Sequence, residues 1–297
     1  MLAHYKRTPT QKVTRGFSYL FMALCVCVAL LPIIWVILSS FKTNSEIFSN
    51  GLSLPSHFGF DGYVQALEIA PILKFFANSL IVATITTILN VFCLAMAGYV
   101  FAKKRFRFKN TIFAILSLSM VIPTTLMSPV YNIITKLGLY DTKIALILVY
   151  TALNMPISLM VLRSAFASIP TELEEAARMD GCNDLQIFCR IILPLSKPVL
   201  ASVTLFYAVT HWNSYFNAMM YISDSNKEVI QIVLRRIIFL TSAVANDSGF
   251  DWGAMGIPPQ KAVKMATTVV ATVPILLIYP FVQKYFTQGV MVGSVKG

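Results

Sequence analysis

Formal charges divide the chain into six long uncharged runs, 16–41, 75–102, 110–135, 144–162, 198–223 and 265–283. Each covers about 19 residues or more, which as a helix rising about 1.5 Å per residue crosses a hydrocarbon core of about 30 Å. Six transmembrane helices are predicted. A further apolar stretch, 237–246, is uncharged for only about ten residues, too short to span, and is expected to lie as a helix near the surface. The run after Arg15 exceeds the roughly 7–15 residues of a signal-peptide core and ends in no small-x-small site, so it reads as the first span.

Composition agrees. The 297 residues are 57% hydrophobic and 12% charged, where a soluble domain carries roughly 25% charged residues. The fold class is therefore an all-α integral membrane protein. The net charge of +11 points to orientation rather than to nucleic acid. With cytoplasmic termini, 15 of the 24 lysines and arginines fall on the inside, the densest group being "KKRFRFK" between the second and third spans. The expected organisation is a cytoplasmic segment 1–15, a six-helix domain 16–286 with a cytoplasmic loop 164–197 and an external loop 224–263, and a cytoplasmic tail 287–297. Cysteines 25, 27, 93, 182 and 189 form no CxxC pair or Cys/His spacing, so they read as packing residues and no metal site is expected.

The loop between the fourth and fifth spans departs from this apolar pattern. "SIPTELEEAARMDGCNDLQIFCRIILPLSKP" holds two helix starts, Thr171 with Glu174 and Asn183 with Gln186, each spaced as a capping box. Gly181 between them suits a residue at positive φ, and Pro194 is expected to stop the second helix. Glu172 and Glu175 lie three apart on one edge of the first helix, beside Leu173, Ala176 and Ala177. One reading is a solvated loop whose acids balance Arg178 and Arg190. The other is a docking knob, where small side chains admit another protein and an acid offers it an ion pair.

The spacing of Glu175, Ala176, Ala177, Gly181, Ile191, Leu193 and Pro194, with Asp180 before the glycine, resembles the EAA loop of permease subunits of binding-protein-dependent ABC importers. "LGLYDTKIALIL" (137–148) and the tail "GVMVGSVKG" (289–297) resemble the carbohydrate-uptake, maltose-type branch, in particular permeases served by lipoprotein binding proteins for complex oligosaccharides. The resemblance implies that Glu174, Glu175, Ala176, Ala177, Asp180, Gly181, Ile191, Leu193 and Pro194 couple the chain to an ATPase. It implies as partners a second permease chain, two ATPase subunits that use ATP and Mg²⁺, and an external solute-binding protein, with no cofactor bound by this chain. The implied location is a bacterial cytoplasmic membrane, crossed several times. Part of the external loop, with Arg235 and Arg236, would contact the binding protein.

The chain carries no G-x-x-x-x-G-K-[ST] phosphate loop, so ATP hydrolysis is not expected of it. No predicted span holds an Asp, Glu, Lys or Arg near its middle, which weighs against an ion-driven carrier without removing it. Ser214 lies three residues from His211, but no oxyanion motif accompanies them as an intramembrane enzyme would need.

Candidates for a substrate path lie in the fifth span. On one continuous helix Thr210, His211, Asn213, Ser214 and Asn217 fall in an arc of roughly 160°, bordered by Trp212, Tyr215 and Phe216. Such an arc serves either a sugar or a neighbouring helix. Ser79, Thr86 and Asn90 in the second span are expected to line the same cavity. Arg235 and Arg236 fit either an acidic sugar, such as a uronate, or lipid headgroups.

Overall fold

The computed structural model describes residues 9–49, 53–69, 71–118, 127–153, 155–237 and 261–294. Every regular element among them is helical. The chain divides into two compact units, 1–70 with 237–270, and 71–236 with 271–297.

In the first unit, helix α1 (Pro9–Ser39) exposes apolar side chains around its whole circumference, among them Phe17, Leu20, Leu24 and Leu31. A helix hydrophobic on every side needs lipid or protein around it. Beyond it come α2 (Asn44–Ser49) and α3 (Asp61–Ile69), and an aromatic cluster ties the end of α1 to the start of α3, with Phe41 meeting Phe58, Phe60 and Tyr63 at 5.8, 5.5 and 5.6 Å.

The second unit is built on α4 (Ile72–Lys103), 32 residues and about 48 Å long at 1.5 Å per residue. Its buried stripe includes Asn78, Ser79, Ala83, Thr86, Thr87, Asn90, Ala95 and Gly98. Small and hydroxylated residues suit helix contacts in a membrane, where backbones must approach closely because lipid is as apolar as leucine. Packed on this helix are α7 (Lys143–Leu153), α8 (Met155–Ala167) and α12 (Lys197–Asn213). Near its C-terminal end, Leu94, Ala95, Tyr99 and Phe101 form a core with Leu162 and Phe166 of α8 and Tyr207 of α12. Near its other end, Val82 joins Leu146 and Tyr150 of α7, Tyr221 of α13 (Phe216–Tyr221) and Val229.

Of the six predicted runs, 198–223 is not a single helix, and 110–135 and 144–162 are each described as two helices. The run 110–135 contains α5 (Lys109–Leu118) and α6 (Met127–Lys136), with 119–126 outside the described residues. The run 144–162 is divided between α7 and α8; Pro156 lies in the first turn of α8, where its missing N–H costs nothing. The run 198–223 breaks where Ser214 turns extended (φ −76°, ψ 112°). Among the described residues three helices, Thr14–Ser39, Ile72–Lys103 and Lys261–Pro280 within α15 (Lys261–Ser294), are long and apolar enough to cross a membrane, and up to five segments are if each bent pair counts as one span. A charge-free run measures polarity and is blind to helix breaks made by uncharged residues. The expected surface helix over 237–246 lies almost wholly outside the described residues, which end at 237; helix α14 covers 230–237.

A Cβ added to Gly98 would stand 3.1 Å from Leu162 Cβ and 3.2 Å from a Phe166 ring carbon. Gly98→Val should push α4 and α8 apart and lower stability by about 1–3 kcal/mol, read as a fall in the thermal unfolding midpoint in detergent; an unchanged midpoint would mean that this contact is loose.

Candidate functional site

Local chemistry shapes the loop after α8 into a helix, a tight turn and a second helix. Helix α9 (Glu172–Met179) carries Glu172, Glu174 and Glu175 in its first turn, where the dipole favours acids, and Arg178 in its last. It ends in a Schellman turn: Gly181 stands at φ +82°, its N–H donates to the Arg178 carbonyl (3.0 Å), and the Cys182 N–H donates to that of Ala177 (2.9 Å). Asn183 then starts α10 (Asp184–Ile187) with a complete capping box. Its side chain accepts from the Gln186 N–H (2.9 Å), and the Gln186 side chain accepts from the Asn183 N–H (2.8 Å).

Two expectations for this loop are corrected. Thr171 has helical rather than extended dihedrals and makes no side-chain cap, and the Glu174 side chain, the other half of the box, is drawn to another helix. Pro194 does not stop the second helix. The chain widens into a π turn over Phe188–Ile192, where the Leu193 N–H reaches the Phe188 carbonyl, and continues through α11 (Leu193–Leu195) before bending by 82° into α12. A widened turn accommodates the proline, which has no N–H to give.

The loop is seated on the C-terminal end of α4. Ile187, Phe188, Ile192 and Ala177 enter the core around Leu94 and Tyr99, with the Tyr99 and Phe188 rings 5.2 Å apart. Lys103, the last residue of α4, lies 3.2 Å from Glu174, the two side chains being only 5% and 8% exposed, while the Lys103 ammonium donates to the Ile169 carbonyl. Lys104 pairs with Asp184, which Arg178 also meets at 2.9 Å. The hydrogen bond from Lys104 holds the Asp184 carboxyl below its usual range.

This seating sorts the predicted coupling residues. Glu174 and Ala177 face inward, whereas Glu175, Ala176, Asp180 and Gly181 are exposed. Ile191 and Leu193 are half-buried, and Pro194 is exposed. Beside the outward acids stand Leu173, Leu185 and Met179, the last 86% exposed. The outward face is thus apolar with an acidic edge. Lys103 and Lys104, read from sequence only as orientation markers, are the residues that hold it.

The predicted substrate arc does not persist. Helix α12 ends at Asn213, so Tyr215 and Asn217 lie past a break and off any common face with Thr210. His211 is buried, stacked with Tyr150 (5.3 Å) and Tyr207 (5.5 Å), and its Nε2 lies 3.0 Å from the Asn90 amide of α4. It makes no side-chain dyad with Ser214, whose N–H only approaches the His211 carbonyl. Trp212 donates to the Ala271 carbonyl (2.8 Å), Thr210 to that of Phe206 (2.7 Å), and the Ser79 hydroxyl accepts from the Ile230 N–H (2.7 Å). Thr86 is fully buried and Asn213 exposed. These contacts favour interhelical packing for His211, Trp212, Ser79 and Asn90. A cavity of about 250 Å³ lies between α4, α12 and α15, but Leu80, Ile88, Leu205, Val209 and Ile278 make its wall apolar, and of the predicted path residues only Trp212 reaches it.

The other end of α4 carries a polar cap that escaped the sequence reading. Asp141, in a left-handed turn (φ 61°), accepts from the N–H groups of Ser223 and Asp224 (2.9 Å each) and from the Lys227 ammonium (2.8 Å). Lys143 donates to the Asn78 side chain, which itself donates to the carbonyls of Asn226 and Glu228. Arg236 pairs with Glu228, whereas Arg235 lies over the Tyr215 ring, 4.2 Å from its centroid. No group of three or more possible metal ligands occurs among the described residues.

Residues 94–292 match the family described as binding-protein-dependent transport system inner membrane component. The chain belongs to this family. The permease is 40% identical over 283 residues, 95% of its length and 96% of the relative's, to the polygalacturonan/rhamnogalacturonan transport system permease protein YtcP of Bacillus subtilis. It is 30% identical over the full length of both chains to the arabinooligosaccharides transport system permease protein AraQ of the same organism. Among solved structures, a bacterial ABC transporter involved in the import of the acidic polysaccharide alginate contains a chain that superposes with a TM-score of 0.81 at 25% identity, covering 95% of the permease and 99% of that chain. The permease is thus an all-helical membrane protein with several apolar helices.

Two predictions follow from the ends of α4. Lys103→Met leaves Glu174 buried without its counter-charge and should cost about 3–5 kcal/mol, while the reversed pair Lys103→Glu with Glu174→Lys should recover part of it. Thermal unfolding in detergent checks both, and equal midpoints for all three proteins would dismiss the ion pair. At the other end, the backbone N–H of Asp224, the Lys227 ammonium and the N–H of Ser223 lower the Asp141 carboxyl from 3.8 to about 2. A carboxyl that titrates lower folded than unfolded adds stability that is complete above about 4 and is lost as the pH falls toward about 2. The difference in unfolding midpoint between the wild type and Asp141→Asn should therefore shrink over that window; a constant difference would contradict it.

Proposed function

We propose that this chain is one of two permease subunits of an ABC importer for oligosaccharides, crossing a bacterial cytoplasmic membrane six times with both termini inside. The observation that carries the reading is the loop 168–197: two short helices seated on α4 by Lys103 and Lys104, holding Glu172, Glu175, Ala176 and Met179 outward. Such a surface suits the cleft of an ATPase subunit, with Glu175 offering an ion pair to a basic residue there. Relatives whose names specify polygalacturonan, rhamnogalacturonan and arabinooligosaccharides support a sugar as the cargo.

In this reading the chain makes and breaks no covalent bonds. Two ATPase subunits bind ATP with Mg²⁺ and close; their differential contact with the two states of the permease pair shifts the bundle from inward-open to outward-open. A solute-binding protein delivers the oligosaccharide at the opposite face, where the cap around Asp141, Asn226 and Lys227 presents itself. Thr210, Asn213, Tyr215 and Asn217 remain candidates for the path; His211, Trp212, Thr86, Ser79 and Asn90 serve chiefly to pack the helices that form it. Arg236, neutralised by Glu228, is the weaker candidate for contact with the binding protein.

Glu175→Lys and Gly181→Pro should each abolish ATP-dependent oligosaccharide uptake while the chain remains inserted at wild-type level. Uptake assays in cells carrying each variant, with the chain quantified in the membrane fraction, test this; normal uptake by both variants would remove the coupling role of the loop.

A further inference from the structure

The cations at the outer end of α4 are not equivalent. Lys227 is compensated by Asp141 and Asp224, and Arg236 by Glu228. Arg235, next to Arg236 and exposed, has no carboxylate partner among the described residues and lies instead on the face of Tyr215. Contact with an aromatic face attracts the guanidinium and restrains its long side chain, while its N–H groups stay available to a planar anion that can accept two of them at once.

The surroundings favour a sugar as the bearer of that anion. Tyr215 occupies the two-residue break between α12 and α13, and irregular backbone at such a place is tolerated where it is buried in protein or lines a water-filled cavity. Its ring meets that of Phe216 at 78° with centroids 6.3 Å apart, which offers two differently oriented apolar faces. Asn213, exposed at the end of α12, adds an amide. Aromatic faces and amides are what a pyranose ring binds; an uncompensated guanidinium among them selects for a carboxylate on that ring.

We infer that Arg235, held on Tyr215 at the break between α12 and α13, forms a subsite for the carboxylate of an acidic, uronate-containing oligosaccharide at the outer mouth of the permease. The inference rests on the importer reading and narrows its substrate class. Only electrostatic and hydrogen-bonding contact is involved, and the bound carboxylate must leave again for transport to proceed. An exposed arginine held by a single aromatic contact suits such transient binding better than a buried ion pair does.

The test is uptake of radiolabelled trigalacturonate, trimannuronate and a neutral galactotriose by cells containing the complete importer, with wild-type permease or with Arg235→Gln, Tyr215→Phe or Tyr215→Ala. Membrane levels of the chain and co-purification of the ATPase are measured in parallel. Arg235→Gln should raise the KM for the transported uronate about tenfold or more, with assembly and any galactotriose uptake unchanged. Tyr215→Ala, which removes the aromatic face, should resemble Arg235→Gln, and Tyr215→Phe, which keeps it, should raise the KM less than Tyr215→Ala does. A wild-type KM for the uronate in Arg235→Gln would overturn the inference and leave the arginine as a headgroup anchor. So would an equal loss of acidic and neutral uptake, or a wild-type importer that takes galactotriose but neither uronate. A wild type that moves none of the three sugars would overturn the sugar-importer reading itself.

Discussion

Two charges buried at the end of a long apolar helix are the constraint around which the second unit is arranged. Lys103 and Glu174 are both nearly inaccessible to water, and removing either group from solvent costs several kcal/mol unless the other is held beside it. The pair is therefore weak evidence for stability and strong evidence for position. It makes separation of the acidic loop from α4 expensive, since separation without full hydration leaves a bare charge against an apolar core. Ile187 and Ile192 add a non-polar footing on the same helix end, and Lys104 with Asp184 marks its polar border.

Helix α4 joins this footing to the opposite face. The core containing Leu94 and Tyr99 lies beneath the loop, and the core containing Val82 lies beneath the cap of Asp141, Asn226 and Lys227. Between them Asn90 meets His211, and the imidazole is held by two tyrosine rings. A displacement of the loop is thus delivered to an element that already touches α7, α8 and α12. Packed interiors shift between discrete arrangements more readily than they deform, which is how a small movement at one end becomes a change of state at the other.

Features decided within a few residues were legible in the sequence. Gly181 at positive φ and the Asn183–Gln186 capping box need no distant partner. The Thr171 box did not form: Thr171 has helical dihedrals, and Glu174 meets a partner some seventy residues away in sequence. Charge-free runs located α1, α4 and α15 but concealed the break at Ser214, which carries no charge. The same blindness produced the polar arc, which assumed one helix through Asn217. The Asp141 cap was invisible because its partners are backbone N–H groups and a lysine from a distant loop.

The central claim is that, in the importer proposed for this chain, the loop and α4 move as one body when an ATPase partner acts. Its most direct test is the distance between spin labels at Met179 on the loop and Arg105 just beyond α4, both exposed, in the assembled importer reconstituted in lipid nanodiscs. Nucleotide-free and ATP-trapped states should give the same narrow distance distribution, while labels at Met179 and on the partner permease report the movement between subunits. A shift of several ångströms between Met179 and Arg105 on ATP binding would contradict the account, because the loop would then be sliding over α4 rather than carrying it.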